Sequence, residues 1–99
     1  MAYVIKIVFT KPTAELWFSE SGNSSTTLAN ITAWDEAFLG YLDGIGHFVA
    51  SDIFESFLVF DTQVNGSAWL TAKVTQPDWM VRDAYFSAHS IATVITTYP

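Results

Sequence analysis

Residues 2–10 (Ala-Tyr-Val-Ile-Lys-Ile-Val-Phe-Thr) contain the clearest strand pattern in the chain, and the predicted fold is built outward from them. The other face of this stretch carries one cation, Lys6, between two valines. Because successive side chains of a strand point to opposite faces, the pattern predicts an antiparallel sheet with one face covered and the other semi-polar. The apolar face expected to be covered is formed by Tyr3, Ile5, Ile7 and Phe9.

Three later stretches, 45–51, 53–60 and 91–98, are rich in β-branched and aromatic residues and predict the remaining strands. The Asp43-Gly44 dipeptide supplies turn residues before the first of them. Alternation along each stretch then assigns its side chains to one face of the sheet or the other.

Helical spacing fills the regions between the strands. Residues 13–20 are compatible with a short helix, and a longer helix is expected from about Ser25, with Gly40 as its stop. Its apolar positions recur at helical spacing, at Leu28, Ile31, Ala37 and Phe38, with Trp34 beside them.

A further helix is predicted over residues 75–89. Thr75 and Asp78 resemble a capping box, and Pro77 falls in the first turn, where proline is tolerated. Asp78 and Arg82 form an i,i+4 pair of the polarity that supports a helix.

Two structures remain open for residues 62–74. Asn65-Gly66 between apolar runs is a hairpin signal. The alternative is a helix that buries Trp69, and an interior glycine counts against that helix by about 1 kcal/mol. Local signals alone do not decide between the two, and the helix is favoured on the strength of a family resemblance.

The predicted order is therefore strand, helical region, strand, strand, helical region, strand. This βαββαβ order is the ferredoxin-like motif, an α+β fold with a four-stranded antiparallel sheet and helices on one face. Ninety-nine residues suffice for one such domain, so the sequence predicts a single ferredoxin-like domain over residues 1–99.

The chain resembles the dimeric α+β barrel superfamily, which includes the small antibiotic-biosynthesis-monooxygenase-like proteins. The resemblance rests on the βαββαβ order, on the strand end at 58–61 (Leu-Val-Phe-Asp) and on the segment 68–70 (Ala-Trp-Leu). Members often continue from the third strand through an acidic residue into a helix with a similar aromatic residue, which implies a helix over 62–74. The resemblance also implies a homodimer whose two sheets pack face to face, with a cavity in each subunit.

Composition narrows the class of partner. Ten acidic residues against four basic ones give a net charge of −6, which disfavours nucleic acid and anionic membranes as partners. The sequence shows no basic n-region and no apolar run long enough for a membrane span, and it has no cysteine. We therefore expect a soluble, cytoplasmic protein without thiol chemistry. No cofactor is expected, since there is no glycine-rich phosphate loop.

Apolar residues are in excess for a small domain. Hydrophobic residues make up 51% of the chain and charged residues only 14%, and one core has to hide eight Phe, four Trp and four Tyr. The surplus predicts a homodimer interface, a cavity for a small apolar ligand, or both.

Period two predicts one candidate site on the uncovered face of the sheet. His47 would act as a base near neutral pH, oriented by Glu55, while Lys6 pairs with Glu55 from a neighbouring strand. The alternative is a structural Lys6–Glu55 ion pair with His47 merely near the surface. The two histidines lack metal-site spacing, so no metal is expected. The full set of pocket candidates is Lys6, His47, Glu55, Thr93, Phe57 and Trp69.

Two classes of function are consistent with the sequence. The favoured one is a ligand-binding or purely structural dimer, because no catalytic constellation is recognisable. The alternative is a cofactor-independent, monooxygenase-like enzyme that acts on a small apolar substrate. A pocket that reaches His47 would favour the enzyme.

Overall fold

The computed structural model describes residues 2–22 and 24–99 and confirms the predicted ferredoxin-like α+β fold. A short 3-10 helix, Phe18–Glu20, precedes the first α-helix. The strands and α-helices, in chain order, are β1 Tyr3–Thr10, α1 Ser25–Ala37, β2 Tyr41–Ala50, β3 Ile53–Phe60, α2 Gln63–Lys73, α3 Pro77–Ala88 and β4 Ala92–Tyr98.

The sheet has four strands in the order β2-β3-β1-β4, and every neighbouring pair is antiparallel. Residues directly opposite each other in such a pair share one face of the sheet. The face covered by the helices is called the helix side below, and the opposite face is called the open side. None of the helices within residues 2–22 and 24–99 is long and apolar enough to cross a membrane.

The core lies between the sheet and the helices. Burial alternates along β1, as its sequence pattern predicts: Ile5 and Ile7 are fully buried on the helix side, while Lys6 lies between them on the open side. Trp69 and Phe60 complete the set of large, fully buried side chains. Burial of such side chains is the main favourable term in the stability of a small domain.

Residues 62–74 form a helix, and the hairpin is excluded. The Thr62 hydroxyl accepts a hydrogen bond from the Asn65 backbone N–H at 3.2 Å and so caps α2. A side chain at Gly66 would overlap the Tyr3 ring. The Asn65-Gly66 dipeptide therefore serves the first turn of α2 and its close approach to β1, not a β-turn.

The predicted start of the second strand is wrong. β2 begins at Tyr41, not at residue 45, and Asp43-Gly44 lies inside it at a register shift. The Asp43 carboxylate accepts a hydrogen bond from the Gly44 N–H at 2.8 Å. These two residues, which are typical of turns, therefore form an irregularity within the strand and not a turn before it.

The strand pattern predicts that Thr93 and Ile95 share the open side with Lys6, and this prediction is wrong. Thr93 pairs with Phe9 and Ile95 with Ile7, which places both on the helix side. The residue opposite Lys6 on the open side is Thr96. β4 carries β-branched residues on both faces, so its composition does not fix the phase of the alternation.

Two helix starts differ from the prediction. Within residues 13–20 only the 3-10 turn at 18–20 is helical. The cap of α3 is Gln76, not Thr75, because the Gln76 side-chain oxygen accepts from the Trp79 backbone N–H at 2.8 Å.

Gly40 is the position at which the backbone most clearly requires glycine. Its φ is 85°, and a side chain there would overlap Asp61 and Asn65. We expect Gly40→Ala to lower the free energy of unfolding by more than about 2 kcal/mol, because a left-handed conformation alone costs roughly 1–2 kcal/mol. Gly22→Ala is the matched control, since Gly22 has a φ of 71° with nothing nearby. Equal losses for the two variants in urea unfolding would contradict the overlap.

Candidate ligand cavity

The structure brings four of the six predicted site residues together on the open side. The Lys6 Nζ lies 3.3 Å from one Glu55 carboxylate oxygen, and the His47 Nε2 lies 3.3 Å from the other. The His47 ring stacks on Phe57, with the ring centroids 6.2 Å apart. These four residues form an open-side cluster whose charges neutralise one another; that it is a site for a ligand stays a prediction.

The other two candidates lie elsewhere. Thr93 is on the helix side of β4, at the edge of the sheet. Trp69 is fully buried beneath the helices, where it packs against Phe60 and Trp79. The predicted set therefore divides between the open side, the exposed sheet edge (Thr93) and the interior (Trp69).

Two cavities lie between the helices and the helix side of the sheet. The first has a volume of about 280 Å³ and a wall that is about half polar, since Thr32, Asp35, Glu36, Tyr41, Ser56 and Arg82 are among its lining residues. The second, of about 240 Å³, is lined chiefly by aromatic rings. Phe9, Phe54 and Arg82 line both, so the two cavities share a wall. Neither is lined by Lys6, His47 or Glu55, so among the described residues the pocket reaching His47 that would have favoured an enzyme is not found. Phe57 is the member of the predicted set that does line the first cavity.

Small residues on β2 and β3 make room for the first cavity. Gly44 and Gly46 lie on the helix side, opposite Leu58 and Ser56 respectively. A side chain at Gly46 would meet the Phe54 ring, which lines the cavity. The sequence predicts a turn at Gly44, and a turn there does not indicate the first cavity.

Asp35 is the buried anion of the first cavity. Its Oδ1 accepts hydrogen bonds from the indole N–H groups of Trp69, at 2.9 Å, and Trp79, at 3.1 Å. Within residues 2–22 and 24–99, Oδ2 receives no hydrogen bond. Burial raises the pKa of Asp35, while the two indole hydrogen bonds and the charges of Arg82 and Lys73 act against that rise.

Arg82 is the cation of the shared wall. Its guanidinium carbon lies 4.2 Å from the Trp79 ring centroid, 5.3 Å from that of Phe9 and 5.6 Å from that of Phe86. In the described part of the chain its Nε is enclosed and has no hydrogen-bond partner. Burial lowers the pKa of Arg82 to about 10, so the group remains charged at neutral pH.

The predicted surface pair of Asp78 with Arg82 is not formed. Asp78 instead accepts hydrogen bonds from the side-chain amides of Asn30 and Gln76, each at 3.3 Å. Arg82 points inward because its aromatic neighbours line the inner face of α3.

The arrangement suits organic chemistry in a partly apolar space. A carboxylate with one free oxygen can accept a proton, and a guanidinium can bind an oxygen atom that carries negative charge. Across residues 2–22 and 24–99, no group of three or more His, Asp or Glu side chains is placed to hold a metal ion.

Similar folds occur among solved structures. A mutant form of SnoaB from Streptomyces nogalater, described as a cofactor-independent oxygenase, has a TM-score of 0.67 and 12% identity over 99% of this chain and 91% of that one. An antibiotic-biosynthesis-monooxygenase-like protein from Deinococcus radiodurans has the same score and identity over 98% and 90%. A protein of unknown function from Nitrosomonas europaea has a TM-score of 0.61 and 14% identity over 99% and 88%.

These likenesses confirm the predicted ferredoxin-like α+β fold. Identities this low show the fold alone, since unrelated activities share such folds. No protein-family model and no curated protein matches the sequence.

Asp35→Asn tests the effect of burial on this carboxyl group. Because its folded pKa lies above the ordinary value of 3.8, the fold favours the protonated form. The stability from this group is fully present below 3.8 and is lost as the pH rises through the folded pKa. An amide does not ionise, so the unfolding free energy of the variant, relative to the unaltered protein, should increase with pH. Urea unfolding at stepped pH measures this, and a decreasing difference would contradict it.

Proposed function

We propose that the chain is an enzyme of the cofactor-independent oxygenase kind, acting on a small, mainly apolar carbon acid in the helix-side cavities. The observation that carries the proposal is Asp35, a buried carboxylate fixed by two indoles in the wall of the first cavity. The fold shared with SnoaB, a cofactor-independent oxygenase, supports it.

The chemistry requires only a base, dioxygen and an acidic methylene group. Asp35 removes one proton from a methylene next to a carbonyl group, and the carbanion adds to dioxygen. The proton returns to the outer oxygen, which gives a hydroperoxide. Loss of water from that carbon leaves a ketone, so one methylene and one O₂ yield one ketone and one H₂O without an external reductant.

Two features of the cavity favour this step. Burial raises the pKa of Asp35, which strengthens the carboxylate as a base. The charge of Arg82, in the same wall, stabilises the negative oxygen that forms when the carbanion delocalises onto the carbonyl group.

A purely structural dimer is the weaker alternative. Both cavities, of about 280 and 240 Å³, are clefts that open to solvent, and concave clefts with a few convergent polar groups are typical of ligand sites. Binding without chemistry remains the second candidate, and an assay of dioxygen uptake distinguishes the two.

Dioxygen uptake tests the proposed activity. The purified, metal-free protein is mixed with 2-tetralone, or with the larger carbon acid anthrone, in an oxygen electrode. We expect uptake above the spontaneous rate. Asp35→Asn should lower kcat/KM about 100-fold or more, because general bases contribute roughly 10²–10⁴-fold. Uptake that is unchanged in this variant would contradict the role of Asp35.

The open-side cluster supplies the matched control. Glu55→Gln removes a carboxylate of the same kind from the other face of the sheet, and it should leave dioxygen uptake unchanged. If Glu55→Gln abolishes uptake and Asp35→Asn does not, the active site lies at Lys6, His47 and Glu55, as the strand pattern predicts.

We propose further that a second copy of the chain covers the open side. Three apolar side chains there are largely exposed: Ile45 by 63%, Val94 by 59% and Tyr98 by 46%. These side chains lie along the two edges of the open side, on either side of the open-side cluster, and exposed apolar side chains on one face of a sheet favour an interaction site. The paired charges of the open-side cluster would be buried in the dimer with each charge already balanced.

Light scattering tests the dimer. The unaltered protein should show twice the chain mass of 11.0 kDa at micromolar concentration. Val94→Glu should shift it to the monomer mass, because an unpaired charge would be buried at the interface. Val64→Glu is the control, since Val64 is 77% exposed on α2, away from the open side. A monomer for the unaltered protein would refute the dimer.

A further inference from the structure

We infer that the second cavity binds an aromatic carboxylate, with the ring system among the aromatic side chains and the carboxylate on Arg82. The inference deepens the proposed function, because it states what the ligand carries. It rests on that function only in taking the helix-side cavities as the binding site.

The charged residues that line the second cavity indicate that its ligand carries a negative group. Arg82 is the only charged residue that lines the second cavity in the described part of the chain. The acidic residues Asp35 and Glu36 line the first cavity and not the second. On the side of the second cavity, the guanidinium therefore faces apolar surface, where an anion from outside is its natural partner.

The stability of the fold does not account for this cation. The enclosed Nε has no hydrogen-bond partner in the described residues. A buried donor without a partner is unfavourable, and the surrounding rings offset only part of that cost through cation–π contacts. A ligand carboxylate would pair with the two terminal nitrogens of the guanidinium, which form a planar fork suited to two oxygens, while the enclosed Nε lies out of its reach.

The aromatic body follows from the shape and size of the second cavity. Rings dominate its wall, and flat rings pack well against other flat rings, offset or edge to face. Its volume of about 240 Å³ lies below the range of roughly 300–1,000 Å³ for drug-sized ligands, which indicates one or two fused rings. The rings in question belong to Phe9, Trp17, Phe18, Phe48, Phe54 and Phe86.

Calorimetric titration with 2-naphthoate tests the inference. The comparison ligand is 2-naphthamide, which has the same ring system and no charge. We expect 2-naphthoate to bind at least tenfold more tightly than the amide. Arg82→Met should abolish that preference, while Arg82→Lys should keep part of it. Lys6→Met removes an equal charge from the open side and should leave the preference intact.

Stability measurements keep the test decisive. Arg82→Met should unfold at a temperature no lower than the unaltered protein, because it removes an unpaired charge from the interior. If it fails to fold, Leu28→Trp replaces it: this variant narrows the second cavity and retains Arg82, and it should weaken 2-naphthoate binding at least tenfold. Equal affinity for the two ligands, or no binding of either at millimolar concentration, would overturn the inference.

The inference and the proposed function can fail separately. Titrations are done under nitrogen, so they need no oxidation. Charge-dependent binding of 2-naphthoate without dioxygen uptake would remove the proposed chemistry and leave the ligand class. Dioxygen uptake that requires Asp35, with no charge-dependent binding of 2-naphthoate, would remove the ligand class alone.

Discussion

One carboxylate oxygen joins all three α-helices of this fold. Oδ1 of Asp35 on α1 accepts the indole hydrogen bonds of Trp69 on α2 and Trp79 on α3. Each partner depends on the others, because a buried donor or acceptor left alone costs about 1–3 kcal/mol. The two indoles also meet edge to face, with their centroids 5.4 Å apart. The helices are therefore fixed above the sheet at the spacing that leaves the cavities between them.

The sequence predicted the strands in which apolar and polar side chains alternate. In β1 a fully apolar face opposes Lys6, so the phase of the strand was fixed by its composition. In β4, Thr93 and Thr96 lie on opposite faces, and nothing local distinguishes them. Pairing with β1 sets that register, and pairing is a tertiary effect that a single strand does not reveal. The helix at 62–74 was predicted only through the family resemblance, because its local signal is that of a turn.

The same dependence on alternation along a strand explains which site residues could be predicted from the sequence. Lys6, His47 and Glu55 stand out as charges on strands of known phase, and the structure does bring them together. Asp35 and Arg82 lie on helices, where a charge is ordinarily solvated and attracts no notice. A signal was nevertheless present, because each lies on the apolar stripe of its helix. Asp35 follows Leu28 and Ile31 at helical spacing, and Arg82 lies between Trp79 and Phe86.

Trp79 explains how two opposite charges share this interior without forming an ion pair. Its indole edge donates to Asp35 at 3.1 Å, while its ring face lies 4.2 Å from the guanidinium carbon of Arg82. An aromatic ring is positive at its edge and negative over its face, so one side chain stabilises the anion and the cation in different directions. In the described residues no carboxylate lies within ion-pair distance of Arg82. Because the tryptophan separates them, the two groups form no direct ion pair, although each charge still favours the other, and both keep unused hydrogen-bonding capacity at the cavity wall.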